Sequence, residues 1–242
     1  MLLAAWMLYS RTQAGPPPLL LLAVVGGAVC VFALILWSVA RARRKRREAL
    51  EQFAMESGFA FSAEADPSVA QELSEVQFTL GMATPRVSYE NVLRGSRQGR
   101  EVIIADRTTG QGKSQSQSTV VAIRFETPLP PFYLCAENFL FHILEKIGFS
   151  DIDLEAAPEF SRRFFLHSDK PEEVRALFTA DVTLAFEQLP QDAGLCVQGA
   201  GRWLAVYRGM RLTPPDQLRE VLETAVRIAE ALHRGQTAGA KW

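Results

Sequence analysis

Residues 16–47, "PPPLLLLAVVGGAVCVFALILWSVARARRKRR", determine how this chain is organised. No charged residue lies between positions 19 and 40, and at about 1.5 Å per helical residue this stretch reaches roughly 33 Å, enough to cross the hydrocarbon core of a bilayer. Trp37 lies near one end, where aromatic side chains anchor helices at the membrane interface. The stretch therefore predicts a transmembrane helix over residues 19–40.

A basic cluster follows the apolar stretch and predicts its direction. The cluster consists of Arg41, Arg43, Arg44, Lys45, Arg46 and Arg47. Only Arg11 precedes the stretch, so the positive-inside rule places residues 41–242 in the cytoplasm and residues 1–18 outside, with a single pass through the inner membrane. The same six side chains are candidate contacts for anionic lipid headgroups. A cleaved signal peptide is the main alternative, but its apolar region is shorter and its charges come first.

Two features near the span leave alternatives open. Residues 1–9, "MLLAAWMLY", are too short to cross a membrane, so they either lie in the interface or precede a true start at Met7. Ala23 and Gly27 form a pair of small residues four positions apart, which would let two helices approach closely. A homo-oligomer joined through the span is therefore an open alternative.

Composition separates the basic cluster from an acidic remainder. The whole chain has a net charge of -1, but from residue 48 onward 19 basic residues face 27 acidic ones, a balance of -8. This charge disfavours nucleic acid as a partner. Cys30, Cys135 and Cys196 are odd in number and far apart, so neither a disulfide framework nor a zinc site is expected. Cys135 and Cys196 are interpreted as small buried residues on the reducing side of a membrane.

The remaining sequence predicts a stalk, one domain and a tail. A basic juxtamembrane helical stalk covers residues 41–58, with Gly58 as its C-terminal cap. A cytoplasmic α+β domain covers residues 59–234, and a flexible tail covers residues 235–242. Asp66 and Pro67 are expected to cap and begin a short helix over residues 68–76.

Segments rich in β-branched and aromatic residues predict the strands of this domain. They are "RVSYENVL" (86–93), "REVIIAD" (100–106), "STVVAIRFE" (118–126), "FYLCA" (132–136), and the shorter stretches at 151–155 and 161–168. "GLCVQGAGRWLAVYRG" (194–209) predicts a hairpin around residues 199–201. Short connections favour antiparallel neighbours.

Apolar residues at helical spacing predict the helices. Helices are expected over 137–148, over 169–189 with an interruption where Asp181 caps a second segment, and over 214–235. Helices and strands that alternate in blocks favour an α+β fold, with a mostly antiparallel sheet packed by helices.

"RTTGQGKSQ" (107–115) has the closing letters of a phosphate-binding loop, Gly112-Lys113-Ser114. That loop needs a first glycine where this chain has Arg107, and it needs a helix after the serine. The residues after Ser114 are polar and then strand-like. Residues 107–118 are therefore predicted to form a hairpin loop that binds no nucleotide.

Candidate catalytic and metal-binding residues are few. His142, His167 and His233 lie in no recognisable motif with a nucleophile. Asp151, Asp153 and Glu155 would share one face of a strand, with Ile152 and Leu154 on the other, and their spacing fits a solvated face better than a calcium loop. No metal or other cofactor is expected. Arg97 and Arg100 at a hairpin tip could touch lipid phosphates or an acidic protein, or could simply be solvated.

The order of these features resembles a known group of proteins. A single span, a basic stop, a "GF" cap, strands around "NVLRG" and "REVIIAD", and then "FSRRFFL", "PEEVRALF" and "LAVYRG" are similar to prokaryotic single-pass membrane proteins that share a domain of unknown function. The similarity covers roughly residues 43–232. It implies an architecture and supplies no catalytic residue.

These observations favour a membrane-anchored cytoplasmic interaction or assembly domain without catalysis. Its expected partners are the lipid bilayer and a protein whose identity the sequence does not reveal. Two alternatives stay open. One is an enzyme whose site is assembled from dispersed residues such as His142 or His167. The other is a domain that binds lipid headgroups through residues 41–47 and the hairpin arginines.

Overall fold

The computed structural model describes residues 18–64, 66–76, 86–110, 112, 115–136, 151–190 and 194–239. The chain divides into two compact units, Met1–Glu48 and Ala49–Trp242. The helix predicted over 137–148, with His142, lies outside the described residues, as does the N-terminal stretch 1–17.

Helix α1, Pro18–Ser57, contains the apolar stretch and the basic cluster. Its side chains from Val29 to Val39 are mostly exposed, including Phe32, Ile35 and Trp37. In the part of the chain that the structure describes, one helical segment is both long enough and apolar enough to cross a membrane. This segment is Gly26–Ser57. Gly58 follows with a φ of +70°, the left-handed conformation of a glycine cap, so the predicted helix end is confirmed.

Among the described residues, six antiparallel strands form one sheet. They are β1 (Ala60–Ser62), β2 (Val87–Arg97), β3 (Arg100–Thr109), β4 (Ser116–Ala136), β5 (Phe164–His167) and β6 (Leu195–Arg208). The order is β1-β2-β3-β4-β5, and β6 also pairs with β4. Because β6 follows one edge of β4, β3 and β5 lie along its other edge. The predicted antiparallel sheet is confirmed, with β4 at its centre.

Strand β4 is longer than the sequence predicts. The pattern favours two strands, over 118–126 and 132–136, but one strand of 21 residues crosses the proline-rich segment between them. The pairing with β6 shifts between Arg124 and Leu129 and again between Leu129 and Phe132. Proline has no N–H to donate to a ladder, so the register breaks there while the strand continues.

The prediction of a hairpin around residues 199–201 is wrong. Strand β6 runs through these residues, and both of its halves pair with β4, from Cys135 opposite Cys196 to Arg124 opposite Trp203. Gly201 has a φ of +52° and lies opposite Leu129, where the register shifts. Glycines with positive φ serve β-bulges as well as turns, and here they accommodate the irregular pairing.

The helices described in the second unit after α1 are short except for the last. They are α2 (Pro67–Glu72), α3 (Pro158–Arg163), α4 (Pro171–Leu177), α5 (Ala180–Glu187) and α6 (Leu218–Gly239), with 3₁₀ turns at Ser74–Val76 and Pro215–Gln217. Asp66 caps α2 by accepting a hydrogen bond from the Ser68 N–H, as predicted. The predicted break before α5 is present, but Thr179 occupies the cap position and Asp181 lies in the first turn. The final helix continues past Gly235, where the sequence predicted its end.

The short strands predicted at 151–155 and 161–168 are only partly correct. Residues 151–154 form no strand, and residues 161–163 belong to α3, which begins at Pro158 because proline favours the first helical turn. The Asp151 carboxylate accepts a hydrogen bond from the Leu166 N–H and ties the segment to β5. Ile152 and Leu154 are buried, as their predicted positions opposite the carboxylates require.

Both faces of the sheet are buried. Helices α3 to α6 cover one face, where the Phe160 ring lies 5.3 Å from Phe164, 5.7 Å from Phe178 and 5.8 Å from Phe186. Helix α2 and the turn after it contribute Val69, Leu73 and Val76 to the opposite cluster. Because the sheet is held on both sides, the hairpin between β2 and β3 projects from a rigid base.

Candidate functional site

The β2–β3 hairpin brings two arginines together at its tip. Arg97 pairs with Arg100 across the turn, and the two turn residues, Gln98 and Gly99, have φ values of 52° and 77°. Two consecutive positive φ values are typical of a type I′ turn, which closes antiparallel strands without splaying them. The sequence predicted this pair at a hairpin tip, and the structure confirms that position.

Arg97 is held in place by the end of α1. Its guanidinium lies 4.7 Å from the centre of the Phe59 ring, and its Nη2 donates to the Ser57 carbonyl oxygen at 2.9 Å. The ring lies on Gly95 of β2, since a Cβ there would come within 2.1 Å of Phe59 Cδ1. Arg97 is therefore held in one position on the hairpin. The alternative interpretation from the sequence, a freely solvated turn residue, does not fit these contacts.

The other side of the hairpin carries a second group of arginines. Arg100 lies over the Phe125 ring at 5.1 Å, and Arg124 lies over the Trp203 ring at 5.9 Å. Arg124 also donates to Glu101 at 2.9 Å. The aromatic faces beneath these guanidinium groups favour them by cation–π attraction and hold their planes in defined positions.

Two clefts flank the hairpin tip, and Gln98 lines both of them. One cleft, of about 430 Å³, lies between the hairpin, β4 and β6; its charged and histidine lining is Arg100, Glu101, Arg124, Glu126, Arg202 and His233. The other, of about 550 Å³, lies between the hairpin and α6; its charged lining is Arg97, Arg219, Glu223, Arg227 and Glu230. We call these two spaces the hairpin clefts.

The hairpin clefts are basic in an otherwise acidic unit. Six arginines and four glutamates line them, a balance of +2. The second unit, residues 49–242, has 19 basic and 26 acidic residues, a balance of -7, so its residues away from the clefts carry -9. Arg124 pairs with Glu101, and Arg219 lies 3.7 Å from Glu56. Arg97, Arg100, Arg202 and Arg227 form no salt bridge with any carboxylate among the described residues. The positive charges of these four guanidinium groups are thus not neutralised by a described carboxylate, and a carboxylate or phosphate would be attracted to them.

The six predicted lipid contacts lie on α1. Arg41, Arg43, Arg44, Lys45 and Arg47 are exposed, and Arg46 is half-buried. The Arg41 guanidinium lies 5.3 Å from the centre of the Trp37 ring. They belong to the first unit, and their contact with lipid stays a prediction.

The structure separates the other candidate residues. His167 ends β5 and is buried, with its Nε2 4.0 Å from the Asp169 carboxylate. His233 lies on exposed α6 surface at one hairpin cleft. Across the described positions, no group of three or more histidine, cysteine or acidic residues could hold a metal ion. After Ser114 the chain enters strand β4 at Ser116, so the helix that a phosphate-binding loop needs is replaced by a strand.

The expectation that the cysteines stay unpaired is wrong for two of them. Cys135 and Cys196 face each other across β4 and β6 and form a disulfide, while Cys30 is free. The Tyr133 hydroxyl oxygen lies 2.9 Å from Cys135 Sγ, and burial raises the pKa of Tyr133 above its ordinary value. The pairing could not be predicted from the spacing of the two cysteines, which are 61 residues apart in sequence. Only the β4–β6 register brings the two sulfurs together.

An ion-pair network fixes the helix beside the hairpin. Arg94 of β2 donates to both Glu72 carboxylate oxygens, at 2.7 and 3.1 Å, and lies 3.7 Å from Asp66. The Glu72 carboxylate raises the pKa of Arg94, so its charge is retained. This network holds α2 against β2 and leaves the hairpin clefts without α2 residues in their lining.

No protein-family model matches this chain, and no curated protein matches it either. The chain is similar to a solved structure, the crystal structure of the mycobacterial trehalose monomycolate transport factor A, TtfA, with a TM-score of 0.50 and 16% sequence identity. The likeness covers 79% of this chain and 95% of that chain. At this identity it shows a similar fold and assigns no site residue.

Proposed function

We propose that this chain is a membrane-anchored interaction domain that performs no chemistry of its own. Residues 19–40 of α1 span the inner membrane, residues 1–18 lie outside, and the domain over residues 59–234 binds a protein partner in the cytoplasm. The observation that carries the proposal is the row of exposed apolar side chains on α1, followed directly by six basic residues. Water disfavours such a row, whereas lipid covers it.

The similarity in fold to TtfA supports a proposal about the cellular process in which the interaction takes part. TtfA is, by its description, a transport factor for trehalose monomycolate, which is a lipid. Among the described residues one helix is long and apolar enough to cross a membrane, and a small domain on such a helix fits an accessory subunit better than the transporter itself. We therefore propose that this chain acts within an assembly that moves or builds membrane lipids.

The disulfide and the basic cluster favour different compartments. Disulfides are rare in the cytoplasm, whereas six charges after the span and one before it favour a cytoplasmic domain. The β4–β6 register places Cys135 opposite Cys196 whether or not the sulfurs are bonded. We base the orientation on the charge, because it acts when the chain inserts. A disulfide that persists on the cytoplasmic side is rare, and this one is fully buried away from reductants in solution.

The surface of the second unit fits a polar contact. Its exposed large apolar side chains, within the ranges described, are Met55, Leu184 and Met210. These lie on three different elements or loops and give no broad apolar patch of the kind that marks an obligate interface. A partner contact made by charged side chains would be reversible and sensitive to salt.

The test is purification of the full-length chain from membranes in mild detergent, followed by identification of the proteins that remain bound. A matched control replaces residues 19–40 with an unrelated span and keeps the domain. We expect the same partner with both chains, released by high salt. A partner-free monomer in both, or a partner that depends on the span alone, would contradict the proposal.

A further inference from the structure

We propose that the hairpin clefts bind an acidic segment of the protein partner, with aspartate or glutamate side chains seated against the arginines. This inference deepens the proposed function, because it names the chemistry of the partner contact. Its occupant is a carboxylate-rich peptide, and a lipid phosphate is an outcome of the test.

The first argument is unused positive charge. Arg97, Arg100, Arg202 and Arg227 form no salt bridge with the described carboxylates, and they stand on both sides of one hairpin tip. Glu101, which follows Arg100 directly in sequence, forms salt bridges with Arg124 and Arg94. A planar guanidinium binds a carboxylate through two parallel hydrogen bonds, which gives direction as well as attraction.

The second argument is that the arginines are held in place before a partner arrives. Phe59 and Phe125 lie beneath Arg97 and Arg100, and the Ser57 carbonyl fixes one end of the Arg97 group. A side chain that is already ordered loses less conformational entropy when it binds. The clefts beside them have volumes of about 430 and 550 Å³, so each can admit side chains of a peptide.

The third argument is that the clefts rest on the part of α1 that belongs to the second unit. Within the second unit, the chain starts at Ala49 and α1 runs on to Ser57, eight residues or about 12 Å further along the helix. Arg97 contacts the Ser57 end of this segment, and Arg219 lies 3.7 Å from Glu56 beside it. The hairpin clefts therefore rest on the C-terminal end of α1 as well as on the sheet, and their base is fixed within the second unit.

The fourth argument is the acidic remainder. With a balance of -9 away from the clefts, the rest of the unit repels an acidic segment on average, whereas the clefts, with a balance of +2, attract it. A local positive region in a negative surface steers an acidic partner to one place and fixes its orientation.

The experiment uses the full-length chain in phosphatidylcholine nanodiscs, where both membrane faces are accessible and the orientation in the cell does not matter. An oligoglutamate peptide is titrated, and hydrogen exchange of residues 95–101 reports binding at the hairpin. The test variant is R100Q/R202Q/R227Q. The matched control, R86Q/R162Q/R211Q, removes the same charge from exposed positions outside the clefts. Residues 41–47 stay unchanged in both.

We expect the peptide to slow exchange at the hairpin in the wild-type chain and in the control variant. The test variant should bind about threefold more weakly for each arginine removed, roughly 30-fold in all, and high salt should abolish protection in every chain. An R100K/R202K/R227K variant, which keeps the charge, should retain most of the binding.

Several results would overturn the inference. Equal loss in both triple variants would mean a general charge effect, and equal protection by an oligoglutamine peptide would mean that carboxylates are not recognised. Protection by phosphatidylglycerol in the disc, but not by the peptide, would assign the clefts to lipid. Inorganic phosphate as the sole ligand would assign them to a free anion. If the R→Q variants fail to fold, the salt series on the wild-type chain still decides. Failure of the chain to enter nanodiscs would instead contradict the proposed membrane anchor.

Discussion

Replacing Gly199 with alanine tests whether β6 is one continuous strand. Gly199 lies opposite Phe132, and a Cβ there would come within 2.2 Å of Phe132 Cε1, far inside van der Waals contact. Phe132 is fully buried and packs edge-on against Phe178 with ring centroids 5.2 Å apart, so it has little room to yield. We expect Gly199→Ala to destabilise the domain by about 1–3 kcal/mol, the usual range for overpacking.

A double-mutant cycle identifies the cause of this loss. Phe132→Ala alone should destabilise by about 3–5 kcal/mol because it leaves a cavity. In that background the added methyl group has space, and Gly199→Ala should be neutral or stabilising by about 0.4–1 kcal/mol through the unfolded chain. The assay is urea unfolding of the full-length chain in mild detergent, followed by fluorescence that includes buried Trp203. If Gly199→Ala is harmless in the wild-type background, residues 199–201 form an open turn and β6 does not pair continuously with β4.

Three further outcomes follow from the fold. Phe160→Ala should cost about 3–5 kcal/mol in the same urea assay, whereas Leu184→Ala, at an exposed position, should change stability by less than about 0.5 kcal/mol. The hydrogen bonds from Ser68 lower the pKa of Asp66, so the carboxylate stabilises the fold above pH 3.8, its ordinary pKa, and this stabilisation is lost as the pH falls through the lowered pKa. Asp66→Ala should therefore reduce the melting temperature at pH 7 and leave it unchanged in strong acid. An equal reduction at both pH values would contradict this role of Asp66. Acid trapping of growing cells, denaturation and thiol labelling should find Cys135 and Cys196 joined as a disulfide, and labelling of both residues as free thiols would contradict that pairing.

Local signals were sufficient for much of the fold. Gly58 and Asp66 act within one or two residues of their own positions, so their roles as caps could be predicted from the sequence. The strands β2 and β3 are joined by a two-residue turn, which makes their pairing local as well. The sheet direction and the helix break before α5 followed from the same kind of pattern.

The errors occur where distant residues decide the structure. A glycine at position 201 fits a turn and a bulge equally well by itself, and only the pairing of β6 along the whole of β4 selects the bulge. The Cys135–Cys196 pair depends on the same register. Residues 151–155 have the alternating pattern of a strand. In a strand, however, the Leu166 N–H would donate to a backbone carbonyl of the neighbouring strand, whereas here it donates to the Asp151 carboxylate.

The candidate site was visible only in part from the sequence. Arg97 and Arg100 flank a recognisable turn, so they could be identified as a pair at a hairpin tip. Arg202, Arg219 and Arg227 come from β6 and α6, about a hundred residues or more away along the chain, and no spacing rule links them to the hairpin. The two hairpin arginines were the signal in the sequence, and the clefts beside them arise from tertiary packing.

The membrane anchor and its orientation are tested together by finding the side of the membrane on which the domain lies. The full-length chain, with an epitope after Trp242, is expressed in bacteria, and protease is added to spheroplasts with an intact inner membrane. We predict that the epitope and the domain resist digestion until detergent opens the membrane, while the anchored chain stays in the membrane fraction after a high-salt wash. Digestion of the domain in intact spheroplasts, or recovery of a soluble chain that begins after residue 40, would contradict a cytoplasmic domain held by a permanent span.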